Sequence, residues 1–198
     1  MDLNQQYYVL FEDTSLKMVG IDGYIQPRFP KNMPAPINHT IEVYITRGKK
    51  KKPRFYDIHF SAGCLPIVTE PVYKELEKLN LYKVQLLKGT HGEIIEEFDL
   101  MMYKIWCYNR IQCLDMEKSK YGSKESDNSR VYDLERIFLD NERLAQVPEE
   151  ERQIFYIAER PTCLIVHQNV VDALESHKFQ GASFTPVNKW SLDSIFDD

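Results

Sequence analysis

Apolar positions along this chain repeat at long range. In Cys64 to Leu87, and again in Cys163 to Thr185, a short apolar run of strand type gives way to helical spacing and then to a second short apolar run. With one residue dropped opposite Pro66, Leu65 matches Leu164, Ile67 and Val68 match Ile165 and Val166, and Val72 matches Val170. Leu76 and Glu77 match Leu174 and Glu175, Leu81 matches Phe179, and Leu86 matches Phe184. An aromatic pair precedes each copy, Phe55 with Tyr56 and Phe155 with Tyr156. The predicted unit is strand, helix, strand. Thr69 and Asn169 are the expected helix caps, Pro71 fits a first turn, and Asn80 and Gly181 are the expected terminators. What repeats is apolar position, not polar chemistry: Thr69 faces His167, Glu70 faces Gln168, and Lys74 faces Asp172. A duplicated active site would keep its polar atoms, so the duplication reads as scaffold.

Outside the copies, Tyr7 to Phe11 reads as a strand, and Gly20 and Gly23 flank an expected turn. Pro27, Pro30, Pro34 and Pro36 force an extended stretch. Ile41, Val43 and Ile45 alternate with Glu42, Tyr44 and Thr46 as in a strand with one buried face, and Phe55 to Phe60 is expected to return beside it as a hairpin. The periodicity of Phe98 to Tyr108 fits neither strand nor helix well and leaves both open, with strand preferred. Lys118 to Arg130, with Gly122, several serines and a run of charges, is expected to be a mobile loop. Asp140 can cap a short helix, Pro148 to Glu151 starts another turn, and Trp190, Leu192, Ile195 and Phe196 mark the tail as a docked amphipathic helix or a frayed end. The resulting fold class is α+β, two related strand-helix-strand halves joined by extra strands. The expected division is 1–117, a loop at 118–130, and 131–198, within one compact unit.

The chain has 198 residues, enough to remove roughly 70% of its unfolded surface from water, so disulfides and metals are not needed for stability. A formal charge of −5 disfavours nonspecific binding to nucleic acid or anionic membrane and favours a basic partner. Met1 to Gln6 is polar and lacks the signal-peptide pattern, and no apolar run approaches the roughly 20 residues of a membrane span. Cys64, Cys107, Cys113 and Cys163 show no paired zinc spacing, which favours reduced thiols and a cytoplasmic location.

Three clusters carry candidate chemistry. Arg47 to Arg54 holds a dense run of cations that could grip phosphate, making the chain a nucleic-acid-binding regulator, but a solvated hairpin tip in a protein acidic overall is the preferred reading. His59 with Cys64 could form a base and nucleophile in a small-molecule enzyme, yet Cys64 begins an apolar run that Cys163 echoes, as a packing residue would. Asp133, Glu135, Asp140 and Glu142, followed by Glu149, Glu150 and Glu151, form acidic turns suited to a partner with cationic side chains. No catalytic residue, metal site or cofactor site emerges from these patterns.

The run Ile111, Gln112, Cys113, Leu114, Asp115, Met116, Glu117, Lys118, Ser119, Lys120, Tyr121 leads to Val131 to Leu144, Ile154 to Glu159, Thr162 to Val166, and then Phe184, Thr185, Pro186 and Val187. This order resembles the immunity proteins of bacterial polymorphic toxin systems, in the related groups numbered eleven and forty-three; Phe55 to Leu76 also resembles the latter. The resemblance covers residues 55 to 190. It implies a small non-enzymatic bacterial protein, without cofactor, that binds and neutralises one cognate toxin domain delivered by a contact-dependent or type VI secretion route. The expected toxin-binding residues are Tyr121, Asp140, Glu142, Glu149, Glu150 and Glu151.

Overall fold

The computed structural model describes residues 2–16, 20–25, 35–36, 41–46, 55–61, 65–91, 101–125 and 130–192. The run Arg47 to Arg54, Cys64, most of the proline-rich stretch and residues 193–198 lie outside them. Strands β1 (Tyr7–Glu12), β2 (Gly20–Ile25), β3 (Ile41–Thr46), β4 (Ile58–Ser61) and β5 (Leu65–Thr69) lead into helix α1 (Glu70–Lys78). There follow β6 (Val84–His91), β7 (Met102–Cys107), β8 (Arg110–Ile111), β9 (Lys120–Lys124), β10 (Val131–Arg136) and helix α2 (Asn141–Ala145). The chain closes with β11 (Ile154–Ile157), β12 (Arg160–His167), α3 (Gln168–Glu175) and β13 (Ala182–Pro186). The architecture is α+β.

Both copies of the repeat fold as strand, helix, strand, and strand register shows that their matching residues are equivalent. In the first sheet, ordered β2-β3-β6-β7-β5-β4, strand β7 lies antiparallel between β5 and β6. In the second, ordered β13-β1-β12-β11-β8, strand β1 plays the same part between β12 and β13. Val68 faces Tyr103 and Val166 faces Tyr8, while Leu86 faces Ile105 and Phe184 faces Leu10. The matches Val68 with Val166 and Leu86 with Phe184 therefore hold through two independent pairings. Backbone strain repeats as well. Asn80 (φ 47°) and Lys178 (φ 55°) are 98 residues apart, as are Lys83 (φ 51°) and Gly181 (φ 109°).

Several local expectations differ in detail. Thr69 occupies the N-cap of α1, with Pro71 in the first turn, but its hydroxyl makes no capping bond. The cap of α3 is His167 rather than Asn169: its Nδ1 accepts the Asn169 amide at 3.2 Å. Asn80 does end α1 in left-handed geometry, whereas the equivalent residue after α3 is Lys178, and Gly181 lies three residues further on. The aromatic pairs are not counterparts, because Ile58 faces Val68 and Ile154 faces Val166, which makes His59 equivalent to Phe155. Gly20 and Gly23 fall inside β2 instead of flanking a turn. β3 pairs with β2 and β6, and β4 pairs with β5, so the expected hairpin of Ile41 to Thr46 with Phe55 to Phe60 does not form. Within 118–130, β9 pairs antiparallel with β10, so this stretch contains one arm of a hairpin. The division between sheets does not follow that segment either, since β1 joins the strands of the second copy.

Alternation along the strands of the second sheet fills two cores. Leu10, Ile154, Tyr156, Leu164 and Val166 face one side and meet Val68, Ile105 and the apolar faces of α1 and α3. Tyr7, Val9, Phe155, Ile157 and Ile165 face the other, beneath Val131, Leu134, Ile137, Leu139 and Leu144 from the hairpin and α2. The first core thus spans both copies, and Tyr73 stacked on Tyr103 at 4.1 Å lies at its border. Trp190 is buried in the second core, which docks the start of the tail.

Candidate functional site

Asp140, Glu142 and Glu149 to Glu151 form a ridge along α2 and the 3-10 turn that follows it, over the second core, whereas Asp133 and Glu135 lie on β10. Leu139 is fixed by Asn4, whose side chain accepts the Leu139 amide at 2.7 Å and donates to the Leu139 carbonyl at 3.0 Å. Asp140 then caps α2, with Oδ1 accepting the amides of Glu142 and Arg143 at 3.0 and 3.1 Å. Its Oδ2 pairs with Arg143 Nε at 3.2 Å, so this carboxylate holds the ridge together from within. Leu144 anchors α2 in the core and leaves Glu142 and Arg143 in solvent. Beyond Pro148, the 3-10 turn Glu149–Glu151 is pinned from below. Arg152 Nη1 donates to the Leu144 carbonyl at 2.6 Å, Gln153 donates to the Glu149 carbonyl at 3.1 Å, and Asn109 donates to the Glu151 carbonyl at 2.6 Å. Glu149 and Glu150 are exposed and Glu151 is half-buried. Tyr121 sits apart on β9, where it faces Leu134 and packs on the second core.

This clasp includes residues that sequence patterns did not single out. Asp2 Oδ1 accepts both the amide and the side-chain nitrogen of Asn4 at 3.0 Å, and Asn141 Oδ1 accepts the Leu3 amide at 3.1 Å. Asp2 two residues before Asn4 is a local capping signal, but nothing in the sequence announces partners at 139 and 141.

Burial shifts several of the described ionisable groups toward their uncharged forms. Burial raises Glu159, whose Oε1 accepts the Leu114 amide at 3.3 Å. Burial also raises Tyr7 and Cys113, and pushes Cys107 up to about 12, so these thiols are poor nucleophiles. It lowers His167, consistent with a neutral ring whose lone pair caps α3. His59, proposed from sequence as a catalytic base, is buried, and its Nε2 accepts the Tyr56 amide at 3.0 Å. That lone pair is committed to holding the chain at the start of β4. On the same face of the first sheet, Ile67 lies between His59 and Lys104, both buried; the equivalent row of the second copy carries Phe155, Ile165 and Val9. Polar identity has changed between the copies while the register has not.

Among the described residues, no three His, Cys, Asp or Glu side chains converge as a metal site, and no helix is long and apolar enough to cross a membrane. No curated protein matches the chain in sequence. Residues 19–189 match the model of an immunity protein family, Imm11, one of the two groups that the order of motifs resembled. The match spans most of the chain, including both copies of the repeat and the acidic ridge, and the protein belongs to the Imm11 immunity protein family.

Proposed function

We propose that this protein protects the bacterial cell that makes it by binding, in the cytoplasm, one toxin domain of a polymorphic, contact-dependent or type VI secreted system. The binding face is the ridge formed by Glu142, Glu149, Glu150 and Glu151, held from within by Asp140, and it extends to Tyr121 on β9. Its action is occlusion, not chemistry. The observation that carries this reading is the combination of family membership with a ridge whose backbone is pinned by Asp140, Arg152 and Asn109 while its carboxylates project outward. A rigid acidic surface complements a basic one with little ordering cost, and charge complementarity speeds encounter and selects the partner. Tight inhibition needs a total interface of about 1,600 Å², larger than the ridge, so neighbouring surfaces must contribute.

Co-expression with the toxin domain encoded beside this chain's gene tests the reading. The unaltered protein should restore growth. Replacing Glu142, Glu149 and Glu150 together by Lys should abolish protection and slow association, most strongly at low salt. Full protection by that variant would remove the ridge from the interface, and failure of the unaltered protein to bind any such domain would end the proposal.

A further inference from the structure

We infer that the outer edge of β13 receives an extended strand of the toxin domain, an inference that rests on the neutralising role proposed above. Backbone phase identifies the free groups. Gln168 N–H donates to the Gln6 carbonyl at 2.8 Å, and Asp13 N–H donates to the Gly181 carbonyl at 3.3 Å. Even-numbered residues of β1 therefore bond to β12 and odd-numbered ones to β13, which makes Phe11 with Ser183 and Val9 with Thr185 the bonded pairs. The amides and carbonyls of Ala182 and Phe184 point the other way. In the same phase, the Gln180 carbonyl accepts Ile58 N–H at 3.0 Å, and the Pro186 carbonyl accepts Trp190 N–H at 3.0 Å. Between those two closures, the described residues supply no partner strand: β13 ends its sheet.

Composition leaves this edge unguarded by charge, as it does the edge strand β4, whose Ile58 N–H is already bonded to Gln180. β9, the other arm end exposed on the hairpin, carries Lys120 and Lys124, charges that discourage further pairing. From Phe179 to Asn188 there is no charged residue, and β13 itself reads Ala-Ser-Phe-Thr-Pro. An edge that carries no charge lacks one common guard against strand addition. The chain already uses the corresponding edge of the equivalent strand: β6 takes β3 there, a few residues further along, at Gly89 to His91. A toxin segment is favoured over a second copy of this chain by charge. Glu12 faces Ala182, Asp13 faces Gly181, and Asp57 accepts the Gln180 amide at 2.9 Å. Two copies, each with a formal charge of −5, would bring these carboxylates together, whereas a strand with basic flanks would meet them favourably.

Residue-resolved amide hydrogen exchange tests this, on the full chain alone and with the catalytically inactivated toxin domain encoded beside it. Alone, Ser183 and Thr185 should be protected and Ala182 and Phe184 should exchange readily. With toxin bound, Ala182 and Phe184 should slow by about a hundredfold or more, as new ladder bonds require an opening step. Ala182→Pro, which removes one outward N–H, should weaken binding at least about tenfold while leaving the unfolding midpoint unchanged; if it does not fold, the exchange result on the unaltered chain decides. Binding without slowing at Ala182 and Phe184 would overturn the strand-addition inference and leave the neutralising role intact. Absence of binding would overturn both. Protection already present in the free chain would also overturn the inference, assigning the edge to this chain's own residues if independent of concentration, or to a second copy if not.

Discussion

Replacing Gly181 by Ala should destabilise the protein by about 4 kcal/mol, because this residue sits where the two copies touch. A Cβ there would lie 1.9 Å from the Ile58 carbonyl oxygen and 3.1 Å from Tyr56 Cβ, whereas ordinary contact begins at about 3.4 Å. Relief requires the backbones to part by roughly 1.5 Å, which breaks the 3.0 Å bond from Ile58 N–H to the Gln180 carbonyl and the 2.9 Å bond from Gln180 N–H to the Asp57 carboxylate. The neutral bond is worth about 1 kcal/mol and the charge-assisted one about 2 kcal/mol. The backbone at φ 109° adds roughly 1 kcal/mol for a residue with a side chain. The chain contains its own control. Lys83 occupies the equivalent turn position with φ 51°, so that turn accepts a side chain, and Lys83→Ala should change stability by less than about 0.5 kcal/mol. Urea unfolding at fixed slope measures both. A loss below about 1 kcal/mol for Gly181→Ala would refute the close approach of Gly181 to Ile58 as the reason for glycine.

Asn4→Ala should cost about 2 to 4 kcal/mol, since it strands the buried amide and carbonyl of Leu139 together; an unfolding midpoint equal to that of the unaltered chain would contradict the clasp. Lys178→Gly should stabilise by about 0.5 to 1 kcal/mol by relieving left-handed backbone strain, read as a rise of roughly 2 to 3 °C in Tm, and a fall in Tm would show that strain is not the controlling factor there. Glu159→Gln keeps an oxygen for the Leu114 amide and removes a buried charge. Because the folded state raises the Glu159 pKa, its neutral form is the favoured one, and the unaltered chain loses stability as pH rises from the ordinary carboxylate range through the raised value. The variant's advantage should therefore grow with pH across that window and then level off; an advantage independent of pH would exclude burial of the charge as its cause.

Sequence patterns revealed the parts of this fold that depend on local periodicity. Ile67 with Val68, Val72 with Leu76, and Leu86 alternate or recur as a strand, a helix and a strand require, and both copies fold accordingly. Asp140 announced α2 because capping is local. Partner choice among strands was hidden, since β3 carries an alternating pattern compatible with several neighbours, and its pairing with β6 depends on residues nearly fifty positions away. The charged run around Lys120 concealed β9 because a two-stranded ribbon over a core needs only one buried side chain in places: Tyr121 alone turns inward there. The His167 cap was missed because a ring nitrogen replaces the usual hydroxyl or carboxylate. For the ridge, the carboxylates were legible from composition, but the supports from Asn4 and Asn109 were not, because each crosses from a distant part of the chain, and the local bond from Arg152 back to Leu144 leaves no pattern of its own.

The placement of β1 has a consequence for folding. β7 completes the first copy from the strand that follows it, whereas the second copy is completed by a strand from the opposite end of the chain. Tyr7, Val9 and Leu10 are buried in two cores, and removing them forfeits about 2 kcal/mol each in burial alone. Loss of the ladders to β12 and β13 would leave two internal strand edges unpaired, and the total approaches the whole stability of roughly 5 to 15 kcal/mol expected for a domain. A chain starting after Glu12 should therefore fail to fold as a unit, shown by noncooperative thermal unfolding. A synthetic peptide of residues 2–12 should restore cooperativity in trans, because it holds the groups of Asp2, Leu3, Asn4 and Gln6 that bond to Asn141, Leu139 and Gln168, together with the strand that pairs with β12 and β13. Cooperative unfolding of the truncated chain without peptide would show that β12 and β13 can close on themselves, and the dependence of the second copy on the chain's beginning would fall.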